Sequence, residues 1–307
     1  MNTKAQDGVI CPLLTPFSAD GVLDAAAYGE HARFVIDDGC SGVVAFGTNG
    51  EAASVSPRER LIAVDALRQS GITAGQLLVG TGYCDLETTL KLTRHAVQAG
   101  CAGVLLLPPF YYKNVPEDGL FEWVARVIDG VNDARIAIYL YHIPQVAGIG
   151  WSQELIARLR AGFPDQVVGI KDSSGDWNTL SHLMTQHPGL HVLAGMETMM
   201  PRAYPLGCRG TISGAANICS RLIADMIGDL DAGKEPAQIE RIAAIRSALS
   251  GLPQIPALKY ATAARTGNTD WVRVRPPFMP VPARDGAEFV ERLERDGGLA
   301  FSVRGDK

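Results

Sequence analysis

The residue best suited to covalent chemistry in this chain is Lys171, which directly follows the apolar run 166–170 and precedes Asp172. At the end of a buried strand, its side chain would project among apolar walls. Desolvation disfavours the charged ammonium form and so favours a neutral amine, which can attack a carbonyl carbon. A structural alternative is that Lys171 pairs with Asp172 or with a helix end. Since the other six lysines fall in predicted loops, helices or tails, Lys171 is the candidate nucleophile.

A turn that could hold an anion follows the apolar run 42–46 and contains Gly47, Thr48 and Asn49. Glycines next to hydroxyl and amide side chains allow backbone N–H groups to converge on a carboxylate or a phosphate. An ordinary connection between a strand and a helix would have the same composition. Because no Walker-type lysine follows the turn, a phosphate is the less favoured ligand.

Tyr141 ends the apolar run 135–141 and would project at the same end of the fold as Lys171. A phenol can pass a proton to a reacting centre when it is suitably hydrogen-bonded, although a buried tyrosine can equally be a packing residue. His142 alternates to the opposite face of the strand, which favours a structural role. The six histidines and six cysteines show no spacing typical of metal ligands, so we expect no metal site and reduced, structural thiols.

These side chains need a scaffold that brings several strand ends together. Short apolar runs of strand length recur along the chain, separated by amphipathic stretches of helical length. Their nearly all-apolar character is typical of parallel strands that are buried on both faces. The eight runs are 8–14, 42–46, 76–80, 103–107, 135–141, 166–170, 191–194 and 210–213.

An internal repeat supports a regular series of strands and helices. The motif Gly-Cys-x-Gly occurs at 39–42, 100–103 and 207–210, each time where a strand is predicted to begin. Each copy predicts a helix that ends on glycine and is followed at once by a strand. Eight strand–helix units normally close into a barrel, whose chemistry lies at the carboxyl ends of the strands. The sequence therefore predicts an α/β fold, a (β/α)₈ TIM barrel, with a doubly wound sheet as the alternative.

The strand signals stop near residue 220. Helices are predicted at 220–232, 236–250, 256–266 and 286–296, and a proline-rich segment precedes the last of them. We interpret residues 1–220 as the barrel and residues 221–307 as a helical extension packed on it. The whole chain is then one structural unit.

Composition and charge limit the class of partner. The formal net charge is −5 with no concentrated basic region, which argues against a nucleic acid partner. No apolar run reaches the ~20 residues that span a bilayer, so we expect no membrane partner. The N-terminal residues lack the apolar core of a secretory signal. We therefore expect a cytoplasmic protein that acts on a small molecule.

Six motifs in this order and spacing make the chain resemble one enzyme family over essentially its whole length, the dihydrodipicolinate synthase and N-acetylneuraminate lyase family of Schiff-base aldolases. The motifs are Leu-Leu-Thr-Pro-Phe at 13–17, Gly-Thr-Asn-Gly-Glu at 47–51, Pro-Pro-Phe-Tyr-Tyr at 108–112, Tyr-His-Ile-Pro at 141–144, Gly-Ile-Lys-Asp-Ser-Ser-Gly at 169–175 and Gly-Thr-Ile-Ser at 210–213. The resemblance implies a barrel fold and a homotetramer built as a dimer of dimers.

The resemblance also implies a chemistry. Lys171 would form a Schiff base with pyruvate or another 2-oxo acid, and the turn of Gly47, Thr48 and Asn49 would hold the substrate carboxylate. Ile212 would line the pyruvate site. No metal or other cofactor is expected, because a protonated imine is itself an electron sink.

The same resemblance implies a proton relay. Tyr141 would relay protons and would be linked through Thr48 to a second tyrosine that reaches over from a neighbouring subunit. The second tyrosine is Tyr111, or Tyr112 if the loop register shifts by one, and Tyr112 is expected among the substrate-binding residues. From the residues alone, this aromatic loop is either a lid or an oligomer contact.

Departures from the family pattern narrow the substrate. Synthases have Asn-x-Pro-x-Arg after the strand-five tyrosine, and the arginine holds a carboxylate of the second substrate; Val146 stands in its place here. A buried carboxylate without a cationic partner is costly, which argues against dihydrodipicolinate synthesis. Sialate lyases have an Asp-Glu pair after strand seven, of which only Glu197 is present, as an expected ligand of substrate hydroxyls. Asn49 stands where synthases have a second threonine, and at this position the chain resembles family members that cleave 4-hydroxy-2-oxo acids.

The expected function is a Schiff-base lyase or aldolase that reversibly splits a 2-oxo acid into pyruvate and an aldehyde. A 2-oxo-sugar-acid dehydratase would use the same lysine and lose water instead. A barrel that only binds a 2-oxo acid is the non-enzymatic alternative, and it would not require a nucleophile.

Overall fold

The computed structural model describes residues 6–301, and its centre is a closed barrel of parallel strands. Each strand pairs with the next one along the chain, and the first pairs with the eighth. The strands are β1 Gly8–Pro12, β2 Gly42–Ala45, β3 Leu77–Gly80, β4 Gly103–Leu106, β5 Ile138–His142, β6 Val167–Asp172, β7 His191–Ala194 and β8 Gly210–Ile212. The predicted (β/α)₈ TIM barrel is confirmed, and closure excludes the doubly wound sheet.

Three strand boundaries differ from the prediction by two or more residues, at the end of β1, the start of β5 and the end of β6. β1 stops before residue 14, because the N–H of Leu14 donates to the side chain of Asn217 at 3.2 Å instead of to the sheet. β5 starts after residue 135, since Arg135 is held in a turn by Asp133 through its backbone and its guanidinium. β6 continues to Asp172, so that Lys171 lies within the strand and not beyond its end.

Apolar side chains cover both faces of the strands. A core inside the barrel includes Ile10, Val44, Leu78, Leu105, Tyr139, Tyr141, Leu193 and Ile212, and a larger core fills the space between the strands and the helices. Because the strands are buried on both faces, their sequences are nearly continuous apolar runs. A Cβ at Gly169 would lie 2.6 Å from the ring of Tyr139, so the aromatic ring fits only against a glycine.

The helices surround the barrel, and several of them begin at capping residues. Ser56 and Glu59 form a reciprocal capping box, and Asp24, Asp85 and Asp176 accept hydrogen bonds from the first backbone N–H groups of their helices. The helices are α1 Ala25–Asp37, α2 Pro57–Gln69, α3 Leu86–Gln98, α4 Glu117–Val131, α5 Pro144–Ala147, α6 Gln153–Gly162, α7 Trp177–Gln186, α8 Met200–Ala203, α9 Ala216–Asp231, α10 Ile239–Leu249, α11 Gln254–Thr266 and α12 Ala283–Arg295.

The carboxyl-terminal helices pack on one another and on the barrel. The helix predicted at 220–232 begins earlier, at Ala216, and it is kinked at Cys219, whose φ and ψ of −141° and 38° are not helical. The expected division after residue 220 therefore falls inside α9. Helices α10 and α11 follow, and each of them contacts both α12 and α9. Within residues 6–301, no helix is long and apolar enough to cross a membrane.

Candidate active site

Lys171 and Tyr141 lie side by side on adjacent strands at the carboxyl end of the barrel. They are register partners in the parallel ladder of β5 and β6, and the next pair is His142 with Asp172. Because side chains alternate between faces, Lys171 and Tyr141 share the inner face and the following pair points outward. Lys171 is only 2% exposed, and its Nζ lies 4.2 Å from the centre of the Tyr141 ring. An amine in this position can meet a carbonyl group that enters beside the phenol.

The hydroxyl of Tyr141 is hydrogen-bonded to Thr48. The distance between the Tyr141 hydroxyl and Thr48 Oγ1 is 3.1 Å, and either oxygen can be the donor. A phenol that shares a proton with a second hydroxyl can deliver or accept a proton in a reaction next to it. The structure thus brings together three of the predicted site residues, Lys171, Tyr141 and Thr48.

The turn that holds Thr48 is fixed by a close backbone approach. Phe46 has a positive φ of 59°, which directs the chain away from β2, and residues Thr48–Gly50 then form a single 3₁₀ turn. A Cβ at Gly80 of the neighbouring strand would lie 2.1 Å from the carbonyl oxygen of Phe46. Only glycine at position 80 leaves room for this turn. The Thr15 hydroxyl also donates to the carbonyl of Gly50 at 2.7 Å.

Helix α11 holds the far side of the same turn. Asn49 accepts a hydrogen bond from Gln254 at 3.1 Å, so its side chain is directed toward the extension. Glu51 and Lys259 form an ion pair of 2.6 Å in which both side chains are fully buried. Burial lowers the pKa of Lys259 to about 8, against the opposing effect of Glu51. Substrate binding by Asn49 stays a prediction, since its contacts here are to the protein.

A cavity of about 300 Å³ opens beside Tyr141 and Thr48. Gly47 also lines it, as does Val146, which contributes an apolar side chain to the wall. The other walls are mainly apolar, with Phe46, Leu105, Leu107, Phe110, Ile143, Ala147 and Phe278 among them. Lys171 is not one of the described residues that line the cavity; it lies against the ring of Tyr141, which does line it.

Two further predicted ligands are buried away from this cavity. Ile212 belongs to the core inside the barrel, in the same cluster as Tyr141. Glu197 is fully buried, accepts a hydrogen bond from Ser213, and lies 3.7 Å from the guanidinium of Arg246. Neither is among the described residues that line the cavity, so their roles as substrate ligands stay predictions.

The aromatic loop after β4 is exposed in the single chain. Tyr111 is 73% exposed and Tyr112 is 68% exposed, and their rings contact each other edge to face. Phe110, immediately before them, lines the cavity. Within a single chain, over residues 6–301, the structure therefore does not bring Tyr111 or Tyr112 into contact with Lys171.

Arg60 is a cavity residue that sequence reasoning missed. It is 2% exposed, donates to the carbonyls of Val55 and Ala52, and its Nη1 has no hydrogen-bond partner among residues 6–301. Burial lowers the pKa of Arg60 to about 10. An arginine within an amphipathic helix normally faces water, and no sequence signal marked this one as buried.

Within residues 6–301, no cluster of three or more side chains is arranged as metal ligands. The expectation of a metal-free reaction stays a prediction.

Comparison with known proteins places the chain in a family. The model of the dihydrodipicolinate synthetase family matches residues 5–295. An uncharacterized DapA-like lyase of Chloroflexus aurantiacus is 32% identical over 94% of this chain and 96% of its own length. Crystal structures of two proteins superimpose closely on the fold. A dihydrodipicolinate synthase of Agrobacterium tumefaciens is 34% identical, with a TM-score of 0.87 over 94% of this chain and 99% of that one.

The second structure is YagE of Escherichia coli K12, a prophage protein of the dihydrodipicolinic acid synthase family, in complex with pyruvate. It is 25% identical, with a TM-score of 0.85 over 96% of this chain and 99% of that one. The family match covers nearly the whole chain, and the relatives share its length and its barrel. The chain is therefore a member of the dihydrodipicolinate synthetase family, an enzyme of the lyase type.

Proposed function

We propose that Lys171 forms an imine with a 2-oxo acid and that this lyase then breaks a carbon–carbon bond to release an aldehyde and pyruvate. The observation that supports this proposal most directly is the contact of the buried Lys171 amine with Tyr141, whose hydroxyl is bonded to Thr48. A nucleophile, a proton carrier and a hydroxyl that orients the carrier are the groups that imine chemistry requires.

The proposed reaction has three steps. The neutral amine attacks the substrate carbonyl carbon, and uptake of one proton with loss of water gives a protonated imine; the final hydrolysis releases this proton again. The bond between the third and fourth substrate carbons then breaks as the hydroxyl on the fourth loses its proton, so that the aldehyde leaves and the electron pair forms an enamine. A proton returned to the third carbon and hydrolysis of the imine release pyruvate and the free amine. In this proposal Tyr141, hydrogen-bonded to Thr48, moves these protons.

Pyruvate is the proposed product, and two independent observations support the choice of substrate. YagE, which shares this fold at 25% identity, was crystallised with pyruvate. The cavity beside Tyr141 is mostly apolar, and Val146 offers no charge to a second carboxylate there. The first observation favours a small 2-oxo acid at Lys171, and the second favours an aldehyde half without a carboxylate at the position of Val146.

A homotetramer is the proposed assembly, with Tyr111 of one subunit completing the proton relay of its neighbour. The support is that Tyr111 and Tyr112 are large aromatic residues with most of their surface exposed. Exposed tyrosines next to a cavity residue such as Phe110 are well placed for a contact with a second subunit.

Reductive trapping tests the imine. Incubation with pyruvate and borohydride is expected to fix a carboxyethyl group on Lys171, detected by intact-protein mass spectrometry and located by peptide mapping. Lys171→Met is expected to give no adduct and to keep the circular dichroism spectrum of the wild type. Lys91→Ala, at an exposed position of α3, is the matched control and should trap pyruvate normally.

Peptide mapping also separates the two buried lysines that the structure describes. Lys259 is held by Glu51, so we expect no adduct on it. A folded wild-type protein without any adduct, or an adduct on Lys259 instead of Lys171, would contradict the proposal.

A further inference from the structure

We propose that Trp151 and His142 position Tyr141 for proton transfer, through two hydrogen bonds that we call the Trp151 clamp. The proposal rests on the function given above, because it concerns the proton carrier of that reaction. Neither Trp151 nor His142 is among the described residues that line the cavity.

The clamp joins two consecutive residues at the end of β5 to a single tryptophan. The indole N–H of Trp151 donates to the backbone carbonyl of Tyr141 at 3.2 Å, and its backbone N–H donates to Nδ1 of His142 at 3.1 Å. Trp151 is 3% exposed, so water does not compete effectively for either bond. The backbone of Tyr141 is thus fixed from outside the barrel, while its hydroxyl is fixed inside by Thr48.

The imidazole ring has a defined protonation form in this contact. Since Nδ1 accepts a backbone N–H, a neutral His142 carries its proton on Nε2. Burial lowers the pKa of His142, although the nearby Asp172 carboxylate acts in the other direction. A ring that is neutral at neutral pH keeps the acceptor that Trp151 needs.

The backbone around the clamp is shaped to the ring. A Cβ at Gly150 would lie 2.7 Å from Cε1 and 2.9 Å from Nδ1 of His142, so only glycine allows the chain to pass this close. The loop closed in this way contains Ile143, Val146 and Ala147, which all line the cavity. The clamp therefore fixes both the proton carrier and one wall of the substrate site.

Misplacement of a reacting group by about 1 Å can cost on the order of 100-fold in rate. Loss of the clamp should therefore slow proton transfer more than it affects imine formation, since Lys171 is on the neighbouring strand and makes neither hydrogen bond. This selectivity separates a positioning role from a merely structural one.

The test compares two readouts on the full-length protein with pyruvate as the probe. Borohydride trapping reports the imine, and incorporation of solvent deuterium into the pyruvate methyl group, followed by NMR, reports the proton step. His142→Leu, which lacks the acceptor, should trap pyruvate like the wild type but exchange deuterium about tenfold more slowly. His142→Asn, whose side-chain oxygen can replace Nδ1 as acceptor, should restore most of the lost rate.

Trp151→Phe provides an independent variant that removes the indole N–H and keeps an aromatic ring. It is also expected to lose deuterium exchange selectively, and it decides the question if His142→Leu fails to fold. Wild-type exchange in a folded His142→Leu or Trp151→Phe protein would overturn the clamp alone. An equal fall in trapping and exchange would do the same. Absence of an adduct in the wild type would instead refute the imine, and the clamp with it.

Discussion

At the scale of single residues, the phenol of Tyr141 has two different neighbours. The amine of Lys171 lies against its ring, and the hydroxyl of Thr48 lies 3.1 Å from its own hydroxyl. The ring therefore packs against the proposed nucleophile, while the polar end can exchange a proton with Thr48. Removing only the hydroxyl separates these two contributions.

Tyr141→Phe is expected to slow deuterium exchange into pyruvate by about 100-fold or more, in the range that general acid–base groups contribute. Imine trapping on Lys171 should persist, because the ring remains. Tyr139→Phe is the matched control: Tyr139 is on the same inward face but its hydroxyl bonds His191, 3.3 Å away. Exchange in Tyr141→Phe at the rate of the control would contradict a proton-relay role.

The positions of Lys171, Tyr141 and Thr48 could be predicted because each follows or ends an apolar run, and parallel strands of a barrel end at one face. The side-chain direction of Asn49 and the surroundings of Glu197 could not. Both depend on partners more than 45 residues away, Gln254 for the first and Arg246 for the second. Periodicity along the chain contains no information about such contacts.

At the scale of elements, the geometry of the site depends on how β2 and β3 approach each other. The carbonyl of Phe46 occupies the space where residue 80 would have a side chain. The turn that contains Thr48 follows Phe46 directly, so we expect a displacement of this contact to move it.

Gly80→Ala is expected to lower the free energy of unfolding by about 2–3 kcal/mol, the cost of overpacking against a backbone that cannot move freely. Gly228→Ala is the control, at an exposed position of α9 with no atom within 4 Å of the added Cβ among the described residues, and it should stabilise by about 0.5–1 kcal/mol. Urea unfolding measures both. Equal stability of Gly80→Ala and the wild type would show that the turn adapts.

Element type was predictable and element length was not. All the strands were recognised from apolar runs, whereas the ends of β1 and β5 are set by hydrogen bonds of Leu14 and Arg135 to side chains. The length of β6 has a functional consequence. Lys171 is held on both sides by neighbouring strands, through its register partners Tyr141 and Leu193, and is not free in a loop.

At the scale of the whole molecule, the helical extension supports the barrel mouth from outside. Lys259 and Gln254 of α11 contact Glu51 and Asn49 on either side of Gly50, and the backbone N–H of Arg275 donates to Glu51 at 2.9 Å. The turn that contains Thr48 is thus fixed by residues that are 200 or more positions later in the chain.

Lys259→Met is expected to lower the free energy of unfolding by about 3–5 kcal/mol, because it leaves the buried carboxylate of Glu51 without its cation. The double variant Glu51→Gln with Lys259→Met removes both charges and should recover much of this loss. Urea unfolding measures the stabilities, and trapping on Lys171 checks the site in the double variant. A single variant as stable as the wild type would show that the ion pair is not needed.

The support of the turn by α11 also limits how parts of this protein can be exchanged with those of relatives. A chimera that takes the segment around residues 49–51 from one family member and the carboxyl-terminal helices from another would mismatch the residues paired with positions 254 and 259. Such recombinants would be inactivated by a defect distant in sequence from their junction. Directed evolution of the substrate loops is better confined to residues such as Val146, which lines the cavity and is 63% exposed.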